Sequence, residues 1–126
     1  MKKNYYFTLF PKTKTIINPI KGIKISYRAE KQMYKLIKKN KKIGIELIIQ
    51  NSGCAGMKYH MKLIEKTNLS DIIFVSPTIL ILINQKFLSI LDGTIIDYIK
   101  KGINYNFQFK NEKIKDFCGC GESFNI

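Results

Sequence analysis

Tryptophan is absent from this chain, and histidine and arginine occur once each, as His60 and Arg28. A single histidine leaves no plausible serine–histidine–aspartate arrangement, and no glycine-rich phosphate loop is present. A single arginine removes the guanidinium forks that read base edges. Long apolar runs are missing too. The longest stretches, such as Ile79 to Ile83, have the length of a strand and fall far short of the roughly 20 residues a membrane span needs. The opening residues, Met1 to Phe10, mix lysines with apolar residues but lack a long apolar core and a small-residue cleavage site. No signal peptide is read there, and a reducing, cytoplasmic location is the expectation. Acidic residues are few, 9 against 22 basic, for a net charge of +13. Such a charge invites a nucleic-acid reading. However, the excess is almost wholly lysine, in a chain also rich in isoleucine and asparagine, which is the composition AT-rich codons specify. The densest run, Lys35 to Lys42, reads as a solvated helix end.

Cysteine is scarce in an informative way. Three is an odd number, a poor match to a disulfide-stapled secreted domain. It is also one short of the four ligands that a closed zinc site or a cuboidal cluster takes. A second chain, an outside ligand or an open metal position is therefore implied. Cys54 sits in Ser52-Gly53-Cys54-Ala55-Gly56, and Cys118 and Cys120 lie one glycine apart in Cys118-Gly119-Cys120-Gly121-Glu122. Glycine beside each cysteine lets the backbone curl so that the sulfurs can face a common centre. Thiolates on such backbone favour a soft metal or an iron–sulfur centre over calcium or magnesium. The Cys118/Cys120 pair, near a chain end, is poorly placed to be core filler. It is compatible with a strained disulfide, with zinc or with copper(I). Spacing alone does not decide whether Cys54 joins it. His60 reads as a solvent-facing strand residue, with a ligand role the lesser alternative. Glu122 either supplies an oxygen ligand or proton acceptor, or solubilises the tail.

At 126 residues the chain is expected to form one domain. Residues 1–21 read as a lysine-rich, loosely ordered extension broken by Pro11 and Pro19. Ile23 to Ile25 is a short strand. Ser26 is then placed to cap a helix whose apolar positions Ala29, Met33, Leu36 and Ile37 follow the helical period and which ends near Asn40. Ile43 to Gln50 and Met57 to Glu65 read as a hairpin with Cys54 near its tip. Strands follow at 72–75 and 79–83, a short helix at 85–91, and strands at 94–98 and 103–109. The class is α+β, mostly β, with mainly antiparallel neighbours.

Ser52-Gly53-Cys54-Ala55-Gly56-Met57-Lys58-Tyr59 and Cys118-Gly119-Cys120-Gly121-Glu122-Ser123-Phe124 resemble the signature of the A-type iron–sulfur carriers, the HesB-like family of IscA, SufA and ErpA. Leu91 to Tyr98 and Phe107 to Asn111 resemble that family's central turn and the segment leading to its tail. The likeness covers roughly residues 22–126, and the tail leans towards the SufA branch. Glu112, where proline is common, and Met57, where an aromatic is common, are departures. The resemblance implies a compact mixed β-sandwich with one or two helices and a flexible Cys-x-Cys tail. It implies that Cys54, Cys118 and Cys120 hold iron or a [2Fe–2S] or [4Fe–4S] cluster through thiolates. It further implies a homodimer or higher oligomer without catalytic turnover, taking clusters from SUF- or ISC-type scaffolds to apo-proteins. A zinc or copper(I) module and a basic nucleic-acid-binding domain are the competing readings.

Overall fold

Alternation of apolar and polar residues, interrupted by two amphipathic helical stretches, sorts the described residues into nine strands and two helices in a computed structural model. The model describes residues 6–11, 21–51, 57–68, 71–111 and 124–125. In chain order the elements are β1 (Tyr6–Leu9), β2 (Ile23–Ser26), α1 (Tyr27–Lys39), β3 (Gly44–Asn51), β4 (Met57–Ile64), β5 (Asp71–Val75), β6 (Leu80–Asn84), α2 (Gln85–Leu91), β7 (Ile95–Lys101), β8 (Asn104–Lys110) and β9 (Phe124–Asn125). They form a four-stranded sheet, β1-β2-β7-β8, and a five-stranded sheet, β5-β6-β3-β4-β9.

Most expected elements are present within a residue or two of their predicted ends. The α1 boundary follows its chemistry: Ser26 Oγ accepts the Ala29 amide at 3.1 Å as N-cap, and Lys38 and Lys39 occupy the last turn. Ala29, Met33 and Ile37 are buried, as their spacing requires.

Three features depart from the expectation. Tyr6–Leu9, inside the segment read as a loose extension, pairs antiparallel with β2 and buries Leu9 in the core. The pairings are mainly antiparallel as expected, but the described strands also include three parallel pairings that short connections do not signal, β2 with β7, β3 with β6 and β4 with β9. His60, expected to face solvent, is only 9% exposed.

One core joins the two sheets. Ile45, Leu47, Tyr59, Met61, Phe74, Ile81 and Ile83 of the larger sheet meet Ile23, Ile25, Ile96, Phe107 and Phe109 of the smaller. The link nearest the site is a stacked pair, Tyr59 on β4 and Phe109 on β8, with ring centroids 4.5 Å apart. Gly44 allows β3 to approach β6 closely: a Cβ there would lie 2.5 Å from the Leu80 carbonyl oxygen. Among the described residues, no helix is long and apolar enough to cross a membrane.

Candidate functional site

The predicted ligands Cys54, Cys118 and Cys120, with Glu122, lie outside the described residues, which hold no cluster of three or more metal-ligating side chains. The structure fixes the backbone that flanks them. β3 and β4 pair without a break from Gly44↔Ile64 to Asn51↔Met57. Cys54 is therefore three residues from a paired position on either side, at the midpoint of the hairpin connection. The second flank is the end of β8. Asn111, the last described residue before the tail, donates from Nδ2 to the Ile90 carbonyl at 3.0 Å and to Thr94 Oγ1 at 2.8 Å. These bonds tie the end of β8 to the turn between α2 and β7. The third flank is β9, where Phe124 pairs with Met61 and Asn125 with Lys62, parallel to β4.

All three flanks meet on β4. Phe109 stacks on Tyr59, two residues into the strand, and Phe124 pairs with Met61, two residues further on. The parallel direction of β9 places Phe124, rather than Asn125, nearer the Met57 end of β4.

The electrostatics of this strand are positive on one face and apolar on the other. Tyr59 is fully buried, and burial raises its phenol above the ordinary value, with Thr94 and Asn111 pulling it partly back. His60 faces the opposite side between Lys58 and Lys62. Burial is the main cause that lowers its pKa, and the two lysines lower it further. The imidazole is thus held neutral at pH 7. Tyr59, Thr94, Phe109 and Asn111 were not singled out as site residues from the sequence. The sequence signalled parts of this knot only indirectly, through the strand alternation of Tyr59 with Met61 and Leu63, the strand spacing of Phe107 and Phe109, which read as core, and the family-like segments that hold Tyr59, Thr94, Phe109 and Asn111.

The described residues define a β-rich class of fold, two mixed sheets on one core, in which Cys54 falls in sequence between the paired ends of β3 and β4, and Cys118 and Cys120 between Asn111 and Phe124. The family model for iron–sulphur cluster biosynthesis matches residues 21–122, and the chain belongs to that family. The chain is 47% identical over 126 residues to an uncharacterized protein of Buchnera aphidicola subsp. Baizongia pistaciae, covering 98% of each. It is 40% identical over 91 residues to the iron-binding protein IscA of Klebsiella pneumoniae, covering 72% of this chain and 85% of that one. Among solved structures, Escherichia coli SufA, described as involved in biosynthesis of iron–sulfur clusters, superposes with a TM-score of 0.69 at 27% identity, over 86% of this chain and 96% of the other. A crystal structure of IscA with a [2Fe–2S] cluster shares the fold, with a TM-score of 0.66 at 23% identity over 79% and 91% of the two chains.

Proposed function

We propose that this protein is a non-enzymatic iron–sulfur carrier that receives a [2Fe–2S] or [4Fe–4S] cluster from a scaffold and passes it to apo-proteins, using the thiolates of Cys54, Cys118 and Cys120. The observation that carries the reading is the convergence of the three flanking segments on β4. Cys54 is three residues from both Asn51 and Met57, and Cys120 is four residues from Phe124. At no more than about 3.6 Å per residue, these tethers keep Cys54 within about 11 Å of its anchors and Cys120 within about 14 Å of Phe124. Met57 and Met61 are themselves about 13 Å apart along the strand. Cys118 lies two residues before Cys120, and spans of these lengths allow all three sulfurs to reach one centre.

The cluster is cargo, so the site has to release it as well as bind it. Thiolate exchange at iron proceeds one ligand at a time, and the sequence around Cys118 and Cys120 carries glycine at 119 and 121, which lets each sulfur turn away separately. Lys58 and Lys62, whose charge already lowers the pKa of His60, also favour the thiolate form of a nearby cysteine. Three thiols are one short of a four-ligand cluster. In a homodimer six are available, and a shared cluster is opened by separating subunits. The relatives named iron-binding protein IscA and the IscA structure with a [2Fe–2S] cluster support iron and sulfide as the cargo. Within the family, the tail sequence Cys118 to Phe124 inclines the reading to the SufA branch.

Anaerobic reconstitution with iron and sulfide tests the proposal, read by visible spectrum and by iron and sulfide per chain. A brown protein with sulfide-to-iron charge-transfer bands, weakened in both Cys54→Ser and Cys120→Ser, is expected. A colourless protein retaining only zinc or copper would overturn it.

A further inference from the structure

A cleft of about 500 Å³ opens where β2 and β7 begin and β8 ends, with Gly22 and Gly93 on its floor. The strand register builds its wall. Lys24 pairs with Ile95, and Ile95 with Lys110, so the three side chains form one row across the outer face of the four-stranded sheet. Their neighbours along each strand, Ile23, Ile25, Ile96 and Phe109, point into the core. Adjacent strands lie about 4.8 Å apart, which sets the Lys24 and Lys110 backbones about 10 Å from each other with half-buried Ile95 between them. Lys21 adds a third ammonium to the cleft. Among the described lining residues the one carboxylate, Asp92, is turned to the chain itself: its two oxygens accept the Lys21 and Gly22 amides, each at 2.8 Å. The cleft is therefore cationic and has an apolar centre.

We propose that this cleft docks an acidic segment of a protein partner, one that presents two or more carboxylates around an aliphatic side chain. The three lysines supply the cations, and Ile95 supplies a contact that a phosphate chain or a nucleic-acid backbone does not use. Among the described residues no aromatic side chain lines the cleft, so they offer no surface on which exposed bases could stack. Lysines are point charges on flexible stems and suit carboxylates held at variable spacing. The location gives docking a consequence. Lys110 and Asn111 form the cleft wall and are also the last described residues before the tail that bears Cys118 and Cys120. An acidic segment bound here sits at the root of that tail, so a partner anchored by it brings its own ligands within reach. The identity of the partner as a cluster donor or acceptor depends on the carrier reading; the docking does not.

The test uses the full-length chain and a fluorescein-labelled peptide of alternating glutamate and leucine, followed by anisotropy at low and physiological salt. A glutamine–leucine peptide and a single-stranded oligothymidylate run beside it. The double variant Lys24→Glu/Lys110→Glu is expected to bind the acidic peptide at least tenfold more weakly. The double variant Lys41→Glu/Lys66→Glu, altered at exposed positions beyond the far end of the β3–β4 ladder, is expected to change affinity less than twofold. Equal losses in the two variants would show general attraction to a chain of charge +13 and would overturn the proposal. So would binding of the glutamine peptide as tightly as the glutamate one, or tighter binding of the oligothymidylate that Lys24→Glu/Lys110→Glu abolishes. The triple variant Cys54→Ser/Cys118→Ser/Cys120→Ser is expected to keep full peptide affinity. Lys24→Glu/Lys110→Glu is expected to keep its reconstituted cluster, which separates failure of the docking site from failure of the carrier reading.

Discussion

Asp97 shows how much one buried side chain organises. The residue is 7% exposed, and its carboxylate accepts the Tyr6 hydroxyl at 2.8 Å, the Ser26 hydroxyl at 2.6 Å and the Tyr98 amide at 2.7 Å. One residue thereby ties β1, the cap of α1 and β7 together. Burial acts to raise its pKa, and the bonds from Ser26, Tyr6 and Tyr98, with Arg28 nearby, outweigh it and hold the group below the ordinary aspartate value. A depressed acid contributes stability that is present above the unfolded pKa and is lost as pH falls through the folded one. Asp97→Asn keeps the shape but loses the charge-assisted bonds, and urea unfolding at pH 7 is expected to show a loss of about 1–3 kcal/mol. His60 works on the other side of neutrality. Its folded pKa lies below the unfolded value of about 6.5, so the folded state binds fewer protons and loses stability as pH falls through that value. His60→Gln is expected to flatten the fall in stability between about pH 7.5 and 5.5, measured as the difference between urea midpoints of the two proteins. An unchanged slope would assign the pH dependence to other groups.

At the scale of elements, the short strands at the two ends of the described chain have different tasks. β1 extends the smaller sheet and adds Leu9 and Phe7 to the core and its margin. β9, only two residues long, contributes one short backbone pairing beside Met61 and Lys62. Removing residues 124–126 is therefore expected to leave the thermal midpoint within a few degrees of the full chain. The same truncation is expected to lower the iron and sulfide retained after reconstitution and gel filtration by at least half, because the tail is then tethered at Asn111 alone. Full retention by the truncated chain would show that this tether is dispensable.

For the molecule as a whole, the packing of two mixed sheets is what brings the flanks of the cysteines together. Tyr59 is central to it, fully buried and stacked on Phe109 across the inter-sheet space. Tyr59→Ala removes an aromatic ring from a filled core and is expected to cost about 3–5 kcal/mol, read from denaturant unfolding. Tyr59→Phe keeps the stack and is expected to recover most of that loss, which separates packing from the contribution of the hydroxyl.

Much of this protein was legible before any coordinates. The helical period of Ala29, Met33 and Ile37 and the cap at Ser26 located α1, because both signals are local. The alternation of Tyr59, Met61 and Leu63 and the turn at Gly102, with its positive φ of 64°, were local in the same way. The glycine-flanked cysteines are the basis of the proposed soft-ligand chemistry, which rests on residue type alone. β1 was hidden among lysines and prolines, since four residues carry too little pattern to announce a strand until a partner is present. The parallel pairings could not be read from short connections, because they join strands distant in the chain and are selected by the shared core. His60 alternates with buried residues, so its period pointed to solvent, while only the packed sheet shows that its own face is covered. The cleft wall of Lys24, Ile95 and Lys110 likewise exists only through cross-strand register. By itself the sequence determined most of the elements and the cap of α1, both set by neighbours along the chain, and it is the source of the thiolate chemistry proposed for Cys54, Cys118 and Cys120. Only the tertiary structure decided which ends meet on β4 and which lysines share a surface, because those juxtapositions depend on how the two sheets pair and pack.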